Sequence, residues 1–135
     1  MQPTISSVKR EFFSWADRVL SGDLPESTCA FHFNLYEGVD SVHVQLIGAD
    51  SFTPGDVPET DYSPGAETFS TGEEIFEIPF SVAGVDWRQW LESSIALVQA
   101  YIASGRKASV LKSSKGVGIG FVDGDMHVLW QSSNA

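Results

Sequence analysis

Carboxylates are the chemically loaded residues of this chain, and they are gathered in one place. Between Val44 and Trp87 stand nine of its eighteen acidic residues: Asp50, Asp56, Glu59, Asp61, Glu67, Glu73, Glu74, Glu77 and Asp86. No Lys, Arg or His interrupts them. The rest of the chain holds nine acids against eight bases, so the formal charge of −10 resides almost wholly in this segment. A surface of that sign argues against nucleic acid or anionic lipid as a direct partner, because phosphates are held by clustered Lys and Arg. It favours a basic partner, most simply another protein. Solubility alone is the competing explanation for the same charge.

The other reactive side chains offer less. His32, His43 and His127 all fall on predicted strands. In one register His32 and His43 are cross-strand neighbours, a pair able to bind metal or move a proton. The chain has no HExxH, no His pair on one helix face and no Cys partner for them, so half-exposed sheet residues are the simpler reading. Cys29 is the only cysteine. It lies on the apolar face of a strand, where a thiol behaves as a small hydrophobe. A single cysteine excludes an intramolecular disulfide and makes a reducing, cytoplasmic location the default. Asp123-Gly124-Asp125 sets two hard carboxylates around a flexible residue but lacks the ligand string of a calcium loop, and a two-residue type I′ hairpin turn explains it without metal. Gly116, Gly118 and Gly120 alternate along a strand instead of opening a helix as a nucleotide loop does. Trp87 and Trp90 are candidates to line a pocket, although a helix start normally buries such residues. The Arg106, Lys107, Lys112 and Lys115 cluster is the only basic one, and it is a possible internal partner for the acidic segment. No catalytic residue, metal or cofactor is assigned, and a non-enzyme is expected.

The elements that must position these groups follow from hydrophobic period. Val8, Phe12, Trp15 and Val19 mark one face of a helix over Ile5–Leu20. Cys29, Phe31, Phe33 and Leu35, then Val42, Val44 and Leu46, alternate along an antiparallel hairpin. Phe76, Ile78 and Phe80 define a third strand over Glu73–Phe80, which Pro79 confines to a sheet edge. Asp86 caps a second helix, with Gln89 in capping-box position and Val85 and Trp90 set for a hydrophobic staple. Its inner stripe is Trp87, Leu91, Ile95, Val98 and Ile102, and Gly105 ends it. Val110–Lys112 is expected to begin a fourth strand, before the glycine-faced strand 116–121 and a last strand over Met126–Gln131. The glycine-stripped face demands a close visitor, either a helix or a bulky side chain of the same domain. At 135 residues the chain is one domain. The expected fold is α+β, in the order α-β-β-β-α-β-β-β: an antiparallel sheet of five to six strands with two helices on one face. An acidic loop at about 48–72, containing Pro54, Pro58 and Pro64, interrupts it. The chain contains no signal peptide pattern and no membrane span.

The stretch from the Trp87 helix through Gly116-Val117-Gly118-Ile119-Gly120-Phe121-Val122-Asp123-Gly124-Asp125 resembles small bacterial immunity proteins, which protect a cell against polymorphic or contact-delivered toxins. The resemblance implies a non-enzymatic inhibitor that binds a cognate toxin and covers its active site. The loop chemistry agrees: a toxin that cleaves nucleic acid needs a basic cleft, and carboxylates can occupy it in place of phosphate. The expected contacts are Asp50, Asp56, Glu59 and Asp61, with Phe52 and Tyr62 as aromatic anchors among them and Glu67 at the margin. Glu73, Glu74 and Glu77 have a structural alternative, protection of a strand edge. The partner is then a basic toxin, a nuclease being one candidate, and the free protein is a monomer or weak dimer. Two other functions compete: a small-molecule binder or enzyme built on the His32 and His43 sheet face, and a homo-oligomeric structural domain.

Overall fold

Apolar alternation builds the sheet, and one long helix closes it. The computed structural model describes residues 3–54, 62–64, 66–122 and 124–132. Strands β1 (Ala30–Glu37) and β2 (Ser41–Ala49) form the expected hairpin, with Phe33 opposite Leu46 and Leu35 opposite Val44. The far side of β2 carries two short strands in succession: β5 (Glu67–Ser70) beside Ile47–Ala49, and β6 (Phe76–Pro79) beside Ser41–Val44. On its other side β1 pairs with β7 (Gly116–Phe121), and β7 with β8 (His127–Gln131). The fold is α+β, on a six-stranded sheet ordered β5-β2-β1-β7-β8 with β6 also on β2. A separate ribbon of β3 (Phe52–Pro54) and β4 (Tyr62–Pro64) occupies part of the stretch expected to be all loop.

The sheet is mixed rather than purely antiparallel, because β1 and β7 run parallel. Parallel neighbours need a crossover. Here it is supplied by α2 (Phe80–Ala83), α3 (Trp87–Ser104) and α4 (Ala108–Lys112). Residues 110–112 are therefore the end of a short helix, not a strand. Ala108 and Leu111, three positions apart, are both buried there, and helical geometry alone puts residues at that spacing on one face. The third strand is likewise shorter than expected, since Phe80 begins α2 and its N–H donates to Asp40 O at 3.0 Å.

Helix α1 (Ile5–Leu20) starts at a reciprocal cap in which Thr4 Oγ1 accepts from Ser7 N and Ser7 Oγ accepts from Thr4 N. It buries Val8, Phe12, Trp15, Ala16, Val19 and Leu20. Phe12 sits at the centre of an aromatic group, with ring centroids of Trp15, Phe33, Phe76 and Tyr101 at 5.3 to 6.4 Å. Burying each such ring stabilises the fold by about 1.5–3 kcal/mol.

Asp86 caps α3 by accepting from Gln89 N, but Gln89 Oε1 turns back to Val85 N, not to the cap residue. The expected staple does not form: Val85 is 84% exposed, and Trp90 instead stacks on Phe80 at 4.5 Å and donates to Gly84 O. The buried stripe is Ser94, Leu97, Val98, Tyr101 and Ile102. Trp87, expected on it, is 57% exposed. At the other end Gly105 has φ −68°, an ordinary extended conformation, so no left-handed cap explains it. Space does. A Cβ there would meet the Tyr101 ring at 2.4 Å. The Tyr101 hydroxyl donates to Asp17 Oδ1 at 2.6 Å and accepts from Lys107 N at 3.0 Å, tying α1, α3 and the turn into α4 together. Burial and this carboxylate contact push the phenol's pKa up from its usual value. Gly105→Ala is expected to cost about 1–3 kcal/mol by overpacking against this ring. Gly22→Ala, where no atom lies within 4 Å of the added methyl, is expected to be close to neutral. Urea denaturation of both variants beside the parent measures the difference.

Candidate functional site

Two surfaces hold chemistry that the core does not consume. The first is the acidic edge. Glu67 on β5, Glu73 and Glu74 in the connection, and Glu77 on β6 are all exposed along the outer margin of β2. Asp50 lies at the base of the acidic stretch, where its carboxylate accepts from Ala66 N at 2.8 Å and its own N–H donates to Ala66 O. Glu74 pairs with Arg18 at 2.6 Å, and Glu77 accepts from Ser41 Oγ at 2.9 Å and lies 3.3 Å from His43 Nε2. These are exposed pairs, worth little to stability. Asp56, Glu59 and Asp61 lie outside the described residues; Tyr62 belongs to β4 by its backbone.

Phe52 has a different place from the one expected of a partner-facing anchor. It is 9% exposed and clusters with Ala30, Met126 and Val128 on the sheet face away from the long helices. A Cβ on Gly116 would meet its ring at 2.6 Å. Phe52 is thus one of the visitors that the glycine-faced strand requires, and it fastens the start of the acidic stretch to the sheet. Backbone is another visitor: a Cβ on Gly120 would meet Asp125 O at 2.4 Å, so the chain after β7 folds flush against that strand. β7 ends at Phe121 and β8 begins at His127, a longer connection than the expected two-residue turn, and within it Gly124 N–H donates to Phe121 O at 2.9 Å. Asp123 is outside the described residues.

The histidine pair does not assemble. The β1–β2 register sets His43 opposite Tyr36 and His32 opposite Ile47. His32 is buried beside the glycine strand, opposite Gly118, while His43 is half-buried on β2. Cys29 is half-buried just before β1, and its backbone bonds to Ala49 and Lys115 on either side. No group of three or more His, Cys, Asp or Glu side chains among the described residues is arranged to hold a metal ion. No helix among them is long and apolar enough to cross a membrane.

The second surface is a cleft of about 720 Å³ between the first turns of α3 and the β7–β8 connection. Leu35, Leu91, Ile95 and Phe121 supply buried or half-buried apolar lining, and Tyr36, Trp87 and Val122 supply exposed apolar lining. Glu37, Glu92 and Asp125 are exposed carboxylates around it, and Arg88 and His127 complete the polar lining. The Arg88 guanidinium lies over the Trp87 ring at 5.5 Å from its centroid. The sequence signal for this site was Trp87 itself, which immediately follows the helix cap. Its partners come from strand ends far away in the chain, and only the parallel β1–β7 pairing brings them together.

Comparison of the chain with protein-family models, with curated proteins and with solved structures found no match.

Burial holds the His32 imidazole down to a pKa of about 4, partly offset by a hydrogen bond with the Asn34 side chain. The unfolded chain binds the proton near 6.5, so the folded state is favoured fully above that value and loses stability as pH falls toward 4. From pH 7 to pH 5 this one residue is expected to remove about 2 kcal/mol. Equilibrium unfolding across that window, with His32→Gln expected to flatten the slope, checks the assignment.

Proposed function

We propose that this chain is a non-enzymatic protein-binding inhibitor, an immunity protein that neutralises a basic toxin by laying an acidic surface over its active-site cleft. The observation that carries this reading is the run of exposed carboxylates along the sheet edge, Glu67, Glu73, Glu74 and Glu77, with Asp50 at the base of the adjoining acidic stretch. Only Arg18 and His43 pair with any of these four glutamates among the described residues. The edge therefore keeps most of its field for an approaching surface. Complementary charge raises association rates by roughly ten- to a thousandfold and suppresses partners of the wrong sign. Edge glutamates also discourage pairing with a stray strand, which keeps such a surface available in monomeric form.

A small-molecule binder is the second reading, and the cleft beside Trp87 is what favours it. Its volume of about 720 Å³ falls within the range of roughly 300–1,000 Å³ found for ligand sites. A metabolite co-purifying with the protein would support that reading.

The test uses the product of the gene adjacent to this one. The purified pair is expected to form a heterodimer whose association slows by roughly tenfold or more between 50 and 500 mM salt. Asp56→Lys with Asp61→Lys, and separately Glu67→Lys with Glu73→Lys, are each expected to weaken it at least about tenfold. Absence of a complex, or a complex indifferent to salt and to both reversals, would sink the proposal.

A further inference from the structure

We infer that the cleft between α3 and the β7–β8 connection seats a short basic-apolar segment of a partner protein, an Arg or Lys flanked by aliphatic residues. The inference rests on the reading of this chain as a binder of basic proteins and assigns a second contact for that partner.

Three observations select this occupant. First, exposed large apolar side chains concentrate at this end of the molecule. Tyr36, Val39, Val85, Trp87 and Val122 make up five of the six among the described residues, and three of them line the cleft. Single exposed apolar residues need no explanation, but a grouped set on a concave surface marks a binding site. Second, the charge around the lining is unbalanced: Glu37, Glu92 and Asp125 stand against Arg88, the only permanent cation among the described lining residues. An anionic or purely apolar guest leaves these carboxylates without a counterpart, whereas an Arg or Lys head answers them. Third, the Trp87 ring already accepts a guanidinium, that of Arg88. A face that holds one cation internally can hold an incoming one, since the ring quadrupole attracts either. Leu91 and Ile95 then offer apolar contact to the aliphatic neighbours of that cation. Arg88 becomes an internal competitor, present in the free protein and displaced toward Glu92 or solvent on binding.

The cleft is held open from both sides by the fold. Trp90 stacked on Phe80 fixes the start of α3, and Gly120 lets the Asp125 backbone lie against β7. Pre-formed sites lose less ordering entropy on binding.

Acetyl-Leu-Arg-Leu-amide, acetyl-Leu-Glu-Leu-amide and indole serve as probes, titrated into the full ¹⁵N-labelled chain by NMR. The Arg peptide is expected to shift amides of Trp87–Leu91 and Phe121–Asp125, and the Glu peptide is expected to leave them in place. Trp87→Ala, an exposed position whose folding the same spectra report, is expected to weaken the Arg peptide roughly three- to thirtyfold. Arg88→Ala is expected to tighten it. Shifts that map elsewhere, equal response to both peptides, or response to indole alone would overturn the inference, the last in favour of a small apolar ligand. The two proposals fail separately. A salt-sensitive heterodimer whose Kd ignores Trp87→Ala removes the cleft and leaves the inhibitor reading standing. Arg-peptide binding without any heterodimer does the reverse.

Discussion

The parallel pairing of β1 with β7 is the constraint on which the rest of the molecule depends. Each residue of β1 from Ala30 to Leu35 is matched to one of β7 from Gly116 to Phe121, so both strands end at the same edge of the sheet. A chain leaving β1 at that end must return to the opposite end before β7 can start. Helix α3 makes the return journey across the apolar face, where Leu97, Val98, Tyr101 and Ile102 share one core with Val117 and Ile119. Its first turns consequently stand beside the ends of both parallel strands, and the cleft is the space left there. Had β7 paired antiparallel, Phe121 and Leu35 would lie at opposite ends and no such cleft could form.

Much of this was legible in the sequence because it is local. The helix over Ile5–Leu20, the β1–β2 hairpin, the Asp86 cap and the alternation of β7 each depend on residues a few positions apart. The parallel pairing was not legible: short turns suggest antiparallel neighbours, and nothing in residues 110–112 says that Leu111 enters the core as part of a helical turn. Trp87 was misassigned for a related reason. A hydrophobic stripe read by period alone extends to every apolar residue in phase, but the fully buried part of α3 begins only at Ser94, and Trp87 in its first turn is exposed. The candidate binding residues were legible only as composition. Asp50 and Glu67 prove exposed, whereas Phe52, read as an anchor for a partner, anchors the chain to itself.

Two glycines show how far local rules reach. Gly105 follows a helix, where a left-handed cap is the usual reason for glycine. Its φ is ordinary and the reason is the Tyr101 ring, a contact between residues four apart that no backbone rule anticipates. Gly116 is the opposite case. Its place on a glycine-faced strand signalled that something bulky approaches, and Phe52 does. The signal named the vacancy without naming the guest, because the guest arrives from sixty-four positions earlier in the chain.

The two candidate surfaces also constrain each other. Asp50 and Glu67 lie at the end of the sheet where Ala49 pairs with Ala30, and the cleft lies where β1 ends, at Leu35 to Glu37. Eight residues of strand at about 3.3 Å each separate those ends by more than roughly 20 Å. Between them along the outer margin run Glu73, Glu74 and Glu77, the last opposite His43 and so level with Tyr36 beside the cleft. A protein lying along the β5–β6 edge would reach both ends. A standard interface of about 800 Å² per partner is wide enough to do so. Charge changes at the acidic base and changes at Trp87 would then act at sites too distant to share contacts, and their free energies should add. An edge that spaces its carboxylates from one candidate surface to the other is better suited to orienting an extended basic face than to holding a single ion.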